Sequence, residues 1–327
     1  MNILIVHQGI IPVTNYGGTE RVIWYLGKEL SKLGHCVSYL VNKGSYCDFA
    51  KVLFYDSAKS ISSQIPDETD IVHFNFQPAE PITKPYVITM HGNINDERAF
   101  DLNTIFVSAN HAERFGSNVF VHNGLDWDDY TKPSLINNRK YYHFLGNAAW
   151  RVKNVRGAIN IINQTKKENL KVLGGNRLNI NMGFRFTTST RIGFYGMVGG
   201  DKKFSLLNSS KGLLFPVRWH EPFGLAITES LYFGCPVFGT PYGSLPEIIN
   251  SEVGFLSTKS IELKDTIENK NNFSAKICHQ YAVEIFNSKK MALAYLEKYT
   301  VVLNGDTLNE DNPKLLQILT ERFLPFD

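Results

Sequence analysis

The chain has 327 residues, 43% of them hydrophobic, which supports a sizeable core and a division into two domains of about 150 residues each. Lys and Arg number 34 against 31 Asp and Glu, a formal charge of +3 without any block of like charges, so a bulk nucleic-acid footprint is excluded. Cys36, Cys47, Cys235 and Cys278 are too widely spaced for a zinc site or a disulfide framework and read as reduced, structural residues.

The opening run "MNILIVHQGIIPV" is short and lacks the basic start of a signal peptide. No run approaches the roughly 20 apolar residues that span a bilayer, so the expected address is cytoplasmic, with any membrane contact peripheral and at the inner face. Short β-rich runs then alternate with longer amphipathic ones: "ILIVHQ", a helix over 18–33, "VSYLV", "DIVHFN", "YVITMH", "TIFVSA" and "NVFVHNG". This alternation predicts an α/β sheet covered on its faces. In the first helix Val22, Ile23, Leu26, Leu30 and Leu33 form an apolar stripe, and Gly34 provides a stop.

The polar segment "DWDDYTKPSLINNR", 126–139, has no sustained period and predicts the join between domains. "KYYHFLGNAAW" then resumes the pattern, followed by strands in "LKVLGG", "TRIGFYGMV", "GLLFPV" and "CPVFGT" and helices near 153–167, 201–209 and 225–233. The second half therefore repeats the architecture of the first. From Ile261 the pattern is helical in "IELKDTIENK", "SAKICHQYAVEIF" and "KKMALAYLEKYTVVL", and "PKLLQILTERFL" reads as a terminal helix. The expected division is a domain over 1–135, a second over 136–305, and a helical tail over 306–327 packing back on the first.

Several positions bear chemistry. Gly17 and Gly18 lie between a strand and a helix, where free N–H groups can approach a phosphate or sugar, although the pattern is neither GxGxxG nor a Walker loop and also suits a plain turn. Gly146 ends the strand that opens the second half. Arg151 and Lys153 follow it before the next helix, where cations can neutralise a diphosphate leaving group. His91 ends "YVITMH", at the carboxyl edge where α/β sheets meet their ligands. In "PVRWHEPFGLAITESLYFGCPV", Glu221 falls in a loop and Glu229 on the following helix. Glu229 suits the two hydroxyls of a ribose, Glu221 those of an attached sugar, and the amides of Phe223, Gly224 and Leu225 the phosphate between them. Read alone, each carboxylate is equally a helix-terminal or solvated charge. Asp126 and Asp128 give a DxD spacing but lack nearby His or Cys, so no metal is assigned.

The spacing EPFG…E, Glu221 to Gly224 with Glu229, resembles the two-glutamate motif of the retaining glycosyltransferases of the large family-four group. "YGGTERVIWYLGKEL" looks like that family's acceptor-side glycine loop and helix, "ITMHG" like its histidine strand, and "VHNGLD" like the end of its first domain. "GSLPEII" looks like the turn closing the donor pocket, with Leu245 presenting backbone to the phosphates or sugar and Glu247 supporting the loop. Lys153 and Asn154 match the family's lysine before a helix start. Asn147 stands where the family usually has arginine, which leaves either Arg151 as its substitute from a shifted loop or a site that relies mainly on Lys153.

The resemblance implies a GT-B fold, two Rossmann-like domains facing across a cleft. It implies metal-independent transfer of a hexose from a nucleoside diphosphate sugar to a hydroxyl of a glycan, lipid-linked or small-molecule acceptor, with configuration retained. A UDP-sugar is the default donor and GDP-mannose the alternative. Glu221, His91 and Lys153 would be catalytic; Gly17, Gly18, Gly146, Arg151, Phe223, Gly224, Leu225, Glu229 and Leu245, with Lys153, would bind the donor. The rival readings are an epimerase or phosphorylase on the same fold, and a non-catalytic sugar-binding relative.

Overall fold

The computed structural model describes residues 1–13, 17–180, 182–269 and 273–327. Tyr16 of the glycine-bearing turn and Lys270 at the end of "IELKDTIENK" lie outside the described residues. The chain divides into two compact units.

The first unit comprises Met1–Val13, Gly17–Asp126 and Phe286–Leu319. Its strands are β1 (Asn2–Val6), β2 (Cys36–Val41), β3 (Lys51–Phe54), β4 (Ile71–Phe74), β5 (Tyr86–Met90) and β6 (Thr104–Phe106), with α1 (Gly18–Lys32) after β1 and α2 (Ala109–Arg114) after β6. All pair in parallel, in the order β3-β2-β1-β4-β5-β6. Ile3 to Val6 and Ile71 to Phe74 are buried throughout, as strands covered on both faces must be. Val22, Ile23, Leu26 and Leu30 of α1 are the buried stripe that the sequence predicts, and Gly34 takes the left-handed conformation that ends the helix.

The second unit comprises Trp127–Ile285 and Thr320–Asp327. Its elements are β7 (Tyr141–Leu145), α3 (Val155–Gln164), β8 (Leu170–Leu173), a short hairpin of β9 (Leu178–Asn179) and β10 (Arg185–Phe186), β11 (Ile192–Phe194), α4 (Gly200–Asn208), β12 (Ser210–Phe215), α5 (Leu225–Tyr232), β13 (Val237–Gly239), α6 (Leu245–Ile248), β14 (Gly254–Leu256), α7 (Ser260–Glu268) and α8 (Ala275–Ile285). The main sheet is again parallel, in the order β11-β8-β7-β12-β13-β14. Phe144, Val172 and Leu214 of the sheet pack with Ile161 and Ile162 of α3 in one core. Numbered within each unit, both sheets run 3-2-1-4-5-6, the Rossmann order. The strand order reverses between the first and fourth strands, which opens a crevice at their carboxyl ends.

The structure differs from the sequence reading at several places. "NVFVHNG" is not a strand: it follows α2, capped by the Ser108 hydroxyl accepting from the His111 amide at 3.1 Å, and meets the sheet only through one isolated bridge from Phe120 to Phe106. β3 lies in a stretch to which the sequence pattern assigns no strand, its residues half-buried to exposed and lacking apolar alternation. The division falls after Asp126 rather than at 135, because Trp127 stacks on Tyr232 at 4.4 Å and so belongs with the second unit.

A further difference concerns the last helix and the tail. α9 (Ser288–Leu303), expected in the second domain, belongs to the first unit. Two tyrosine hydroxyls hold it there: Tyr299 Oη lies 2.7 Å from His73 Nδ1, and Tyr295 Oη 2.9 Å from Thr89 Oγ1, which is 2.7 Å from His73 Nε2. The tail over 306–327 is not helical. Pro313 interrupts it, its carbonyl accepts from the Phe100 amide at 2.7 Å, and Leu315 joins the core of Phe100, Phe106 and Phe115. Residues from Thr320 onward pack with the second unit instead, where the Leu324 amide donates to the Arg218 carbonyl at 2.9 Å.

Tyr299→Phe leaves one nitrogen of the buried His73 without its partner, and should lower stability by about 1–3 kcal/mol in urea unfolding. Burial lowers the pKa of His73, His111 and His143 from 6.5 to about 3. The unfolded chain therefore takes up protons that the folded chain refuses. Stability should be full above pH 6.5 and fall as pH drops from there toward 3, as followed by unfolding midpoints across that range.

Candidate functional site

In the second unit the crevice of strand reversal lies between β7 and β12, and the loops that follow these two strands carry Lys153 and Glu221. After β7, Gly146 has φ +150, and a side chain on the facing Gly174 would collide with its carbonyl oxygen at 2.0 Å. The loop then makes one tight turn over Arg151–Lys153 and reaches Asn154 in the left-handed conformation that asparagine tolerates. The Asn154 side chain accepts from the Gly157 amide at 3.0 Å, capping α3, and donates to the Pro216 carbonyl at 2.9 Å. One residue thus fixes the helix start and ties the loop after β7 to the loop after β12. Lys153, its neighbour, is directed into that junction.

There Lys153 Nζ lies 2.8 and 2.6 Å from the two carboxylate oxygens of Glu221, and the Trp219 indole N–H donates to the same carboxylate at 2.7 Å. The ammonium also sits 4.9 Å from the Trp219 ring and 5.3 Å from that of Phe215. Both charged residues are buried. The backbone of Glu221 pairs with Gly243, and Ser244 closes the join by donating its amide to the Glu221 carbonyl at 2.9 Å and its hydroxyl to the Phe223 carbonyl at 2.8 Å. Gly224, at φ +85, turns the chain into α5 and offers that helix no side-chain cap. Phe223 is buried, and Leu225 begins α5.

Glu229, one turn into α5, is buried and has a lysine of its own. Its Oε1 accepts from Lys203 Nζ of α4 at 2.5 Å and from Tyr130 Oη at 2.9 Å. The two glutamates are therefore held by separate cations. Leu245 is fully buried at the start of α6, and Glu247 on the same short helix is half-buried. Arg151 does not join the Lys153–Glu221 cluster; its guanidinium lies 4.8 Å from the Phe323 ring. Asn147 bonds locally, accepting from the Ala149 amide at 3.0 Å.

The remaining predicted residues belong to the first unit. Gly17 precedes α1, where a Cβ would lie 2.7 Å from Glu20 Oε2 and 2.8 Å from Val13, and Gly18 is the first residue of the helix. His91 follows β5 and its Nε2 lies 2.8 Å from Asn75 Oδ1, at the end of β4. Burial, reinforced by His7, brings its pKa to about 3. His7 in turn lies 3.7 Å from Glu20, whose carboxyl it holds below the usual range. Asp126 of the DxD spacing is taken by Lys28 at 2.9 Å and Lys32 at 3.0 Å. Among the described residues, no group of three or more His, Cys, Asp or Glu side chains is placed to hold a metal ion.

Residues 139–270 match the family model described as "Glycosyl transferases group 1", a span from β7 through α7 that contains the whole Lys153–Glu221 site. No curated protein matches the chain. Among solved structures, AviGT4, a glycosyltransferase involved in avilamycin A biosynthesis, is similar at 19% identity and a TM-score of 0.74, covering 94% of this chain and 99% of its own. Sucrose-phosphate synthase from Thermosynechococcus elongatus gives 14% identity and a TM-score of 0.72, covering 93% and 100%. The Anabaena protein HepE, solved with UDP and glucose, gives 17% identity and a TM-score of 0.64, covering 91% and 99%. The chain has the GT-B fold.

Within this GT-B protein three members of the site are invisible to motif reading. Lys203 looks like an exposed charge on α4, yet it stands three and four residues before Leu206 and Leu207, on the helix's buried stripe. That spacing was the available signal. Tyr130 lies in the polar segment read as a join, and Trp219 carries no motif; only the fold brings their polar tips to Glu229 and Glu221.

Gly243→Ala tests the loop junction. A Cβ there would lie 2.2 Å from the Glu221 nitrogen and 2.3 Å from its carbonyl oxygen, at a backbone φ of +66. Strain at that φ alone is worth about 1–3 kcal/mol. The variant should unfold at a lower urea midpoint than the parent protein.

Proposed function

We propose that the second unit binds a nucleoside diphosphate sugar and that the protein transfers its hexose to an acceptor hydroxyl with retention of configuration. The observation that carries this reading is the buried Lys153–Glu221–Trp219 cluster at the sheet's reversal point, inside the span matching the group 1 glycosyl transferases. Lys153, the first-turn amides of α5 beyond Gly224, and the backbone at Gly146 and Leu245 are assigned to the diphosphate. Glu221 orients the hexose through its hydroxyls, and Glu229 accepts from the ribose. Arg151, over Phe323, is left out of this assignment.

The bond between the anomeric carbon and the diphosphate oxygen breaks with its electron pair going to the phosphate. Lys153 and the helix amides stabilise the charge that develops there. The acceptor oxygen bonds to the anomeric carbon on the face the diphosphate leaves, and its proton passes to a donor phosphate oxygen. Glu221 is a positioning group in this scheme, and no metal is needed. In the first unit His91, neutral at working pH, is assigned as a hydrogen-bond partner for a sugar hydroxyl, and Gly17 and Gly18 allow the acceptor close to the backbone. A UDP-sugar is the favoured donor, because HepE, which shares the fold, is solved with UDP-glucose. A glycan, a lipid-linked sugar or a small metabolite would supply the hydroxyl.

Glu221→Gln keeps the size of the side chain and removes its charge. It should fold with an unchanged circular dichroism spectrum and lose transfer by about a hundredfold or more. UDP release that depends on an acceptor, in the parent protein only, supports the reading; normal turnover by the variant refutes it. Phosphate-dependent glycan cleavage would make the protein a phosphorylase, acceptor-free sugar interconversion an epimerase, and donor-induced thermal stabilisation without turnover a sugar-binding relative.

A further inference from the structure

The second unit has another cavity, of about 370 Å³, between the start of α3, the β9–β10 hairpin and Phe323 near the chain end. Arg151, Arg156, Arg185 and Arg218 all line it, whereas Lys153, Glu221, Lys203 and Glu229 do not. Among the described residues no carboxylate lies within ion-pair distance of these four guanidinium groups. Their partners are neutral. Arg156 donates to the Phe184 carbonyl, Arg185 to Thr187 Oγ1 at 2.9 Å and the Asn176 carbonyl at 2.8 Å, and Arg218 to the Leu324 carbonyl at 2.7 Å. Arg151 and Arg218 both lie against the Phe323 ring, at 4.8 and 5.3 Å. Burial, and then repulsion from Arg156, lowers the pKa of Arg185. Four like charges gathered without a counter-charge form a site for an anion.

The hairpin beside the cavity carries exposed apolar side chains. Leu178 and Phe186 are cross-strand partners and so share a face, and they are 55% and 57% exposed. Ile180, Met182 and Phe184 continue the run between them, at 74%, 55% and 67% exposed. Five large exposed apolar side chains within nine residues, of which Met182 and Phe184 also line the cavity, are of the kind that soluble surfaces rarely carry without a partner. A second copy of this chain is a poor occupant, since a symmetric pairing would set the same uncompensated arginines against each other. Apolar side chains beside cations with no counter-charge match the boundary of an anionic bilayer, where acyl chains lie next to phosphates. No helix among the described residues is long and apolar enough to cross a membrane, so such contact is peripheral.

We propose that this end of the second unit docks on an anionic lipid surface, a lipid phosphate entering the arginine-lined cavity while the hairpin side chains sink among the acyl chains. The proposal does not depend on the sugar-transfer reading, because neither the cavity nor the hairpin includes Lys153 or Glu221.

The test is cosedimentation of the full chain with vesicles of phosphatidylcholine alone and of equal parts phosphatidylcholine and phosphatidylglycerol. The chain should sediment with the mixed vesicles only. R156Q and R218Q should each weaken binding about fivefold, the equivalent of about 1 kcal/mol per arginine at an anionic surface. F184S with F186S changes only exposed side chains and should abolish binding while the circular dichroism spectrum stays unchanged. Equal binding to both vesicle types, or undiminished binding by these variants, overturns the proposal. So does absence of vesicle binding together with thermal stabilisation by inorganic pyrophosphate that R156Q and R218Q lose, which would make the cavity a site for a soluble phosphate.

Discussion

An ammonium and a carboxylate buried together lose more hydration than their attraction alone returns unless further hydrogen bonds and rigid surroundings complete the arrangement. The Lys153–Glu221 pair meets that condition, and much of the local structure follows from it. The Trp219 indole supplies a further donor to the carboxylate, Asn154 fixes the backbone beside the lysine, and the missing side chain of Gly243 lets a second loop lock onto the backbone of the glutamate. Three loops from three strands are thus committed to one charge pair at the sheet's reversal point. Lys203 and Glu229 repeat the device with Tyr130 as the extra donor. Each carboxylate is thus held in a fixed place beside its own cation.

Each unit also places a neutral histidine at its centre. His73 in β4 bridges Tyr299 and Thr89, and His143 in β7 bridges Ser210 and Ser230 at 2.7 and 2.9 Å. A hydroxyl can give or take, so a neutral imidazole between two of them satisfies both ring nitrogens at no charge cost. Both rings span elements far apart in sequence and fasten the sheet to its neighbours.

The alternation of apolar strands and amphipathic helices carried most of the fold into view, because strands buried on both faces must be apolar throughout and their covering helices must be striped. The EPFG…E spacing put Glu221 in a loop and Glu229 on a helix for a similar reason, since a carboxylate between a proline and a glycine turn sits in a loop whatever the tertiary context. Long-range commitments were hidden. Tyr295 and Tyr299 give α9 no local sign of which unit it joins, and the apolar run near Leu315 looks helical until Phe100 claims its backbone. Lys203 was legible only through its spacing to Leu206 and Leu207. Arg151, reasonable as a phosphate ligand by its position in sequence, is drawn aside by Phe323, more than 170 residues away along the chain.

The return of α9 to the first unit has a consequence for how the molecule comes into being. Nascent domains generally fold as they leave the ribosome, the N-terminal one first. Here the first sheet emerges early, but the two tyrosines that satisfy His73 and Thr89 are made only after the whole of residues 127–285. Until then His73 of β4 and Thr89 of β5 have each other but lack their tyrosine partners, and the face that α9 covers is open to solvent. The second unit waits as well, so each is completed by a segment made late: the first by Phe286–Leu319 and the second by Thr320–Asp327.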